Sequence, residues 1–365
     1  MLRRALSILL LSWMAISIQA QGYQVAGRVI DYETGDPIEH LTVYVNGTTR
    51  GTTTDTEGRF VMEGIVLPCE LVLSHVSYEV RLVTLADTAG ITLLDLRLKK
   101  KIIKLLEVTV IHDRLREEYF SRFKGWFLGK DYQSQNAEIL NDSALIFIAL
   151  EGEQFEAYSN EPLEILLPET GYRVMTDLVH FKLNYKEELS GFHCSILGYF
   201  FFEEMAAQTR RQHREFARNR LETFYNTRLH FCRSLYNNQL AENGYKLTRI
   251  CYGENEDPSG DLFEPDYAYW YSNDLSGSSV LHLADFPCRT FEISFYHKNR
   301  NKPIDLTYLY AHPENRDLSR IRFLKDTIRI YPSGRVAENS ILFNNTIGEK
   351  GVAWMLPDDY IPSMQ

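Results

Sequence analysis

Most of the chain is made of short runs in which apolar and polar residues alternate, and a helical stretch divides these runs into two groups. The first group holds Val25 to Ile30, Leu41 to Val45, Phe60 to Met62 and Leu71 to Ser74, each bounded by Gly, Pro, Asn or Asp. Alternation with period two between turn residues predicts the strands of a small antiparallel sandwich, with Val25, Gly27 and Val29 on one face of the first strand. The stretch from Gly51 to Phe60 is predicted to be a turn between two of these strands. Asp55 is placed to accept backbone N–H groups two or three residues on, and Gly58 to take a positive φ.

From His112 to Gly129 the period changes. Leu115, Tyr119, Phe120, Phe123, Trp126 and Phe127 recur at helical spacing, which predicts an amphipathic helix stopped by Gly129. Alternation returns through Leu145 to Phe147, Phe155 to Tyr158, Leu163 to Leu167, Tyr172 to Val174 and Phe181 to Tyr185, with turn signals at Gly152, Asn160 to Pro162, Gly171 and Ser190-Gly191. Residues 203 to 243 lack Pro and Gly and are rich in Arg, Glu, Ala and Leu, so they read as helical, broken near Asn226-Thr227 where Thr227 is a suitable N-cap. Further strands are expected at Tyr245 to Cys251, Tyr267 to Tyr271, Val280 to Leu283, Thr290 to Tyr296, Thr327 to Tyr331, and Arg335 to Phe343 after a Pro332-Ser-Gly334 turn. The expected class is mostly β with an α+β second part: an N-terminal β-sandwich, then an antiparallel-sheet domain with a helical pair. The expected boundaries are 1–20, 21–98, a connection over 99–113, and 114–365.

Residues 1–20 change the picture. Arg3 and Arg4 precede an apolar run from Ala5 to Ile18 that is too short to span a bilayer and ends near Ala20, the pattern of a cleaved secretory leader. No Cys stands directly after that run to carry a lipid anchor, so the mature protein is expected to be exported and soluble or held peripherally, in the periplasm or at the outer membrane. Without Arg3 and Arg4 the chain has 37 basic and 49 acidic residues, with no long block of one sign, which disfavours nucleic acid as a partner. The five cysteines, Cys69, Cys194, Cys232, Cys251 and Cys288, are odd in number and widely spaced, so most are expected to be buried free thiols.

Gly27, Val29, Asp31, Thr34, Gly35, Pro37, Ile38 and Val43, then Gly51-Thr-Thr-Thr-Asp55-x-x-Gly58-x-Phe60, then Leu71-Val-Leu-Ser74 and Tyr78, resemble the carboxypeptidase-regulatory-like domain. The resemblance implies a transthyretin-like β-sandwich of seven or so strands. Ser77 stands where that family usually has Gly before the aromatic. Leu105-Leu-Glu-Val-Thr-Val110 resembles the exit segment of the same module in Bacteroidota cell-envelope proteins, including TonB-dependent receptors. Phe123 to Gly129, Pro162-Leu-x-Ile165, Gly171-Tyr172, Asp177-Leu178-x-x-Phe181, Arg220, His230-Phe-x-Arg233-x-Leu235 and Trp354-x-Leu356-Pro357-x-x-Tyr360 resemble uncharacterised Bacteroidota proteins that carry this module. That second resemblance implies no activity.

The candidate chemistry is sparse. Ser121-Arg-Phe-Lys124 has the S-x-x-K form, but its Lys-Thr-Gly companion is absent, and the aromatic stripe around it reads as core. Glu254-Asn-Glu-Asp257-Pro-Ser-Gly-Asp261 lacks the spacing of a calcium loop. No H-E-x-x-H, G-x-S-x-G or phosphate-binding glycine loop occurs, so no catalytic residue, metal or cofactor is expected. The binding candidates are Arg220, His230 and Arg233, either an anion-binding group or helix-to-sheet hydrogen bonds, and Tyr267, Tyr269, Trp270 and Tyr271, either an exposed aromatic row or a buried strand. The expected function is a non-catalytic accessory of the cell envelope that binds a protein or glycan partner. The alternative is a hydrolase of envelope polysaccharide or peptide with its site in the second domain.

Overall fold

The computed structural model describes residues 22–85, 93–101, 113–186, 191–249, 271–273, 279–282, 289–296, 316–336 and 340–362. The chain divides into two compact units: Met1–Val45 with Arg50–Lys101, and Asn46–Thr49 with Ile102–Gln365.

The first unit is a β-sandwich of β1 (Tyr23–Asp31), β2 (Thr42–Val45), β3 (Gly51–Thr53), β4 (Arg59–Ile65), β5 (Cys69–His75), β6 (Tyr78–Leu85) and β7 (Leu93–Leu98). One sheet has the order β4-β1-β7 and the other β3-β2-β5-β6. The core between them holds Val25, Val29, Val43, Phe60, Leu71, Leu73 and Leu96, the inward members of the alternating runs. Two expectations are corrected. The sandwich is not wholly antiparallel, because β7 pairs with β1 in parallel. The Gly51 to Phe60 stretch is not all turn, because Gly51 to Thr53 pair with β2. Its second half is the expected turn. Asp55 Oδ1 accepts N–H bonds from Glu57 at 3.0 Å and Arg59 at 2.7 Å, and Gly58 has φ +71°. Asp31 and Tyr78, both among the residues that carry the family resemblance, meet in one network. The buried Asp31 carboxylate accepts from the N–H of Glu33 and Thr34 and from the Tyr78 hydroxyl at 2.9 Å, with Lys100 at 3.5 Å. The backbone N–H bonds hold its carboxyl down at about 2, while burial and the Asp31 carboxylate push the Tyr78 phenol up to about 12.

The second unit opens with α1 (Asp113–Phe127), followed by a 3-10 turn (Tyr132–Gln135) and the strands β8 (Glu138–Ile139), β9 (Leu145–Ala149), β10 (Phe155–Ser159), β11 (Leu163–Leu167), β12 (Tyr172–Lys186) and β13 (Gly191–Glu204). Tyr119, Phe123 and Phe127, four residues apart, press into the sheet: Tyr119 stacks on Phe155 at 4.7 Å and Phe123 meets the edge of Phe181 at 4.8 Å. β12 is one 15-residue strand where the alternation suggested two short ones. Apart from Asp177, which is also buried, its buried positions are even-numbered from Tyr172 to Leu178 and odd-numbered at Phe181 and Leu183. A bulge between Leu178 and His180, in the register with β13, absorbs the one-residue change of phase. Before the bulge β12 pairs with β11, and after it with β10.

The helical region is shorter than expected at both ends. β13 runs through Glu204, and the helices are α2 (Arg210–Phe224) and α3 (Arg228–Tyr236). The break falls as expected: Asn226 has φ +55°, and Thr227 caps α3 by accepting from the His230 N–H at 3.2 Å. β14 (Tyr245–Arg249), β15 (Tyr271–Asn273), β16 (Ser279–His282), β17 (Thr290–Tyr296), β18 (Arg316–Phe323), β19 (Thr327–Ile330), β20 (Ile341–Asn344) and the short α4 (Asn345–Gly348) complete the described strands and α-helices. They form sheets β14-β17-β18-β20 and β15-β16-β19. β18 was not anticipated, and of the expected strand from Arg335 to Phe343 the described residues show a bridge at Val336 and β20, while 337–339 lie outside the described residues.

Candidate functional site

The polar residues singled out on the helices are each committed to a different part of the fold. Arg220 donates to the carbonyls of Thr170 at 2.7 Å and Gly171 at 3.2 Å, lies 4.0 Å above the Tyr172 ring, and is 3.3 Å from Glu204 Oε1. Arg233 donates to the carbonyls of Ser333 at 2.8 Å, Tyr360 at 2.7 Å and Asp358 at 2.9 Å, which pins the C-terminal segment to α3. His230 is buried among Phe224, Tyr245 and Phe295, with Nδ1 2.8 Å from the Tyr245 hydroxyl and accepting from the Asn226 N–H at 3.3 Å. Those two contacts assign the neutral ring with its proton on Nε2. Burial, then the charges of Lys350 and Arg233, pull its pKa down to about 3. Lys350 donates to the carbonyls of Tyr225 and Asn226 behind α2, and desolvation lowers it to about 8.

These bonds have a testable consequence at Arg233. Arg233→Met keeps much of the side-chain volume but leaves three carbonyls without their donor and is expected to cost about 3 kcal/mol, read as a lower urea midpoint with the slope unchanged. A loss below about 1 kcal/mol would show that the segment 358–360 is held by other contacts.

Tyr267, Tyr269 and Trp270 lie outside the described residues. Tyr271 opens β15 and pairs with Leu281. The loop from Glu254 to Asp261 is also outside the described residues, as are Cys251 and Cys288. Cys69, Cys194 and Cys232 are free thiols, and burial pushes the last two up to about 12. Among the described residues no three His, Cys, Asp or Glu side chains converge as a metal site, and no helix is long and apolar enough to cross a membrane.

A different surface carries an open groove. Where α1 ends, the backbone passes through Gly129 (φ +101°) and Asp131 (φ +57°) into the 3-10 turn, leaving a solvent-open groove of about 360 Å³. Trp126, Asp131, Tyr132 and Gln133 line it, with Arg122 and Lys130 beside them. The two cations are tied down: Arg122 donates to the Glu153 carbonyl and sits over Phe155, and Lys130 is 3.3 Å from Glu349 Oε2. The Trp354 indole N–H fixes the Lys130 carbonyl at 3.2 Å. Among the described residues, the Trp126 N–H, the Asp131 carboxylate and the Gln133 amide make no hydrogen bond and face solvent. Trp126 is 41% exposed, although it stands on the helix that carries the buried aromatic stripe. In the sequence it is indistinguishable from that stripe, being three residues from Phe123; only the packing turns it outward.

Residues 25–110 match the family model of the CarboxypepD_reg-like domain, so the first unit is a sandwich of that kind. No curated protein matches the chain. Among solved structures, a type II cohesin–X-dockerin complex from Acetivibrio cellulolyticus is similar at 20% identity and TM-score 0.19, covering 21% of this chain and 57% of that one. A 9R-lipoxygenase from Cyanothece PCC8801 is similar at 10% identity and TM-score 0.19, covering 61% and 49%. A putative membrane-associated protein of unknown function from Bacteroides fragilis NCTC 9343 is similar at 10% identity and TM-score 0.18, covering 51% and 84%. The chain thus spans about half the length of the first two.

Proposed function

We propose that this protein is an exported, non-catalytic accessory of the cell envelope, in which a CarboxypepD_reg-like sandwich accompanies a second unit that holds a glycan across the Trp126 groove. The observation that carries the reading is the combination of an exposed indole with a carboxylate and an amide that make no hydrogen bond among the described residues. A sugar ring offers an apolar C–H face to an aromatic plane and hydroxyls to planar hydrogen-bonding groups, and such groups must be replaced at the moment water leaves. Export rests on the leader-like residues 1–20, and N-terminal sequencing of the protein isolated from its cells should begin at Gln21. An N-terminus still at Met1 would remove export from the reading.

The hydrolase alternative needs two carboxyl groups facing a scissile bond, and among the described residues Asp131 is the one acidic residue that lines the groove. Glycan-array and calorimetric titration with neutral oligosaccharides test the binding reading. Trp126→Ala is expected to weaken binding at least tenfold with the thermal midpoint little changed, since the side chain is partly exposed. If Trp126→Ala binds like the parent, the groove is not the site. Capture of a stoichiometric envelope protein in place of a glycan would move the partner to the other class.

A further inference from the structure

The exposed side of α2 carries three arginines that form no ion pair among the described residues. Arg210, Arg214 and Arg218 stand four residues apart on one helix face, all three exposed, and together they span roughly 12 Å of the helix axis. Among the described residues none of them forms an ion pair; Arg218 donates to Asn219 Oδ1 at 3.4 Å, and the neighbouring Arg211 is engaged by Glu215 at 2.8 Å. Like charges at this spacing repel, and Arg210 and Arg211 stand in the first turn, which has no acidic residue and where the helix dipole adds further positive potential. In a chain of net charge −10 the three form a local row of positive charge, ended one turn beyond Arg218 by the exposed Glu222. An anion outside the protein would reverse the sign of each of these terms.

We infer that the Arg210–Arg214–Arg218 face docks on an anionic lipid surface, each guanidinium engaging headgroup phosphates. Charge complementarity points to an anionic partner, and the surroundings of the face point to lipid. A protein interface of measurable affinity is centred on apolar or aromatic anchors that become desolvated, and none of the exposed large hydrophobic residues lies on α2. A charged headgroup layer requires no such anchor, only a row of cations presented along a helix lying parallel to it. The guanidinium fork suits phosphate, and the attraction acts within about a Debye length, so the acidic remainder of the molecule is screened from the surface. The inference is independent of the groove at Trp126 and of what binds there.

The test is co-sedimentation of the protein, as isolated from its own cells, with phosphatidylcholine vesicles and with vesicles containing about 30% phosphatidylglycerol, at low and high salt. Preferential binding to the anionic vesicles is expected, abolished at about 0.5 M salt and weakened about fivefold per arginine in Arg210→Gln, Arg214→Gln and Arg218→Gln, roughly 100-fold in the triple variant. The triple variant should melt no lower than the parent, because it removes repulsion within the helix. Equal binding to both vesicle types, unchanged binding by the triple variant, or absence of binding to the anionic vesicles would each overturn the assignment. So would retention of the protein on immobilised polyglutamate, lost in the triple variant, without vesicle binding, which would mark the face as a dock for an acidic protein.

Discussion

Gly129→Ala is expected to destabilise the second unit by about 3–5 kcal/mol, because two independent costs fall on one atom. Its φ of +101° lies in a region that L side chains rarely adopt, and an added Cβ would collide with Gly351 N and lie 2.7 Å from Glu349 O. The crossing cannot open cheaply, since backbone bonds close it on both sides: Lys130 N–H to the Glu349 carbonyl at 2.9 Å and Ala353 N–H to the Leu128 carbonyl at 3.0 Å. Gly351 is equally constrained, as a Cβ there would strike Phe127 O and Gly129 N. Gly152→Ala supplies the control, for Gly152 also has positive φ (+67°) but nothing within 4 Å of the position a Cβ would take. That variant should lose only about 1 kcal/mol, the conformational part alone. Urea unfolding of both variants checks the comparison, and equal losses would refute the claim that the Gly129–Gly351 approach is what the glycine serves.

Acid is expected to unfold the protein through His230 before it acts on the carboxylates. The folded-state pKa of His230 is lowered to about 3 from an ordinary value of 6.5. Below pH 6.5 the unfolded chain therefore takes up a proton that the folded chain refuses, so the stabilisation is complete above 6.5 and is lost as pH falls toward 3. The slope approaches about 1.4 kcal/mol per pH unit, on the order of 5 kcal/mol across the window. Asp31, held at about 2, contributes in a lower window: its stabilisation is complete above 3.8 and is lost as pH falls through 2. The two are thus separable by pH. In His230→Gln the stability between pH 6.5 and 4 should become nearly flat, at the cost of some stability at pH 7 where the Tyr245 hydroxyl and the Asn226 N–H lose their shared acceptor. Unfolding free energies at pH 7, 6, 5 and 4 would test this. The same slope in parent and variant would place the acid sensitivity elsewhere.

Both residues show how differently parts of this molecule are written in its chain. Local chemistry was enough for β1, β2, β4 and β5 of the first unit, for the Asp55–Gly58 turn, for Thr227 as the cap of α3 and for the Tyr119–Phe123–Phe127 stripe, because each depends on side chains within a few residues of one another. Asp31 and Tyr78 could be marked from the family pattern, but the bond between them joins positions 47 residues apart. The single strand β12 was hidden because a bulge resets the phase of its alternation, and a reader of periodicity takes a phase change for a chain reversal.

What the sequence by itself determined, then, is where backbone propensity and period place strands, helices and turns, together with the family of the first unit. The tertiary structure alone decided which polar groups are spent and which are free. Arg220 and Arg233 are satisfied by carbonyls 49 or more positions away, Gly129 is required by a segment more than 200 residues downstream, and Trp126 faces outward although its spacing is that of a core residue. The physical reason is common to all four. A hydrogen-bond partner, a collision or an exposed ring is a property of what packs against a residue, and in a chain of mixed sheets those neighbours come from distant positions that no local pattern names.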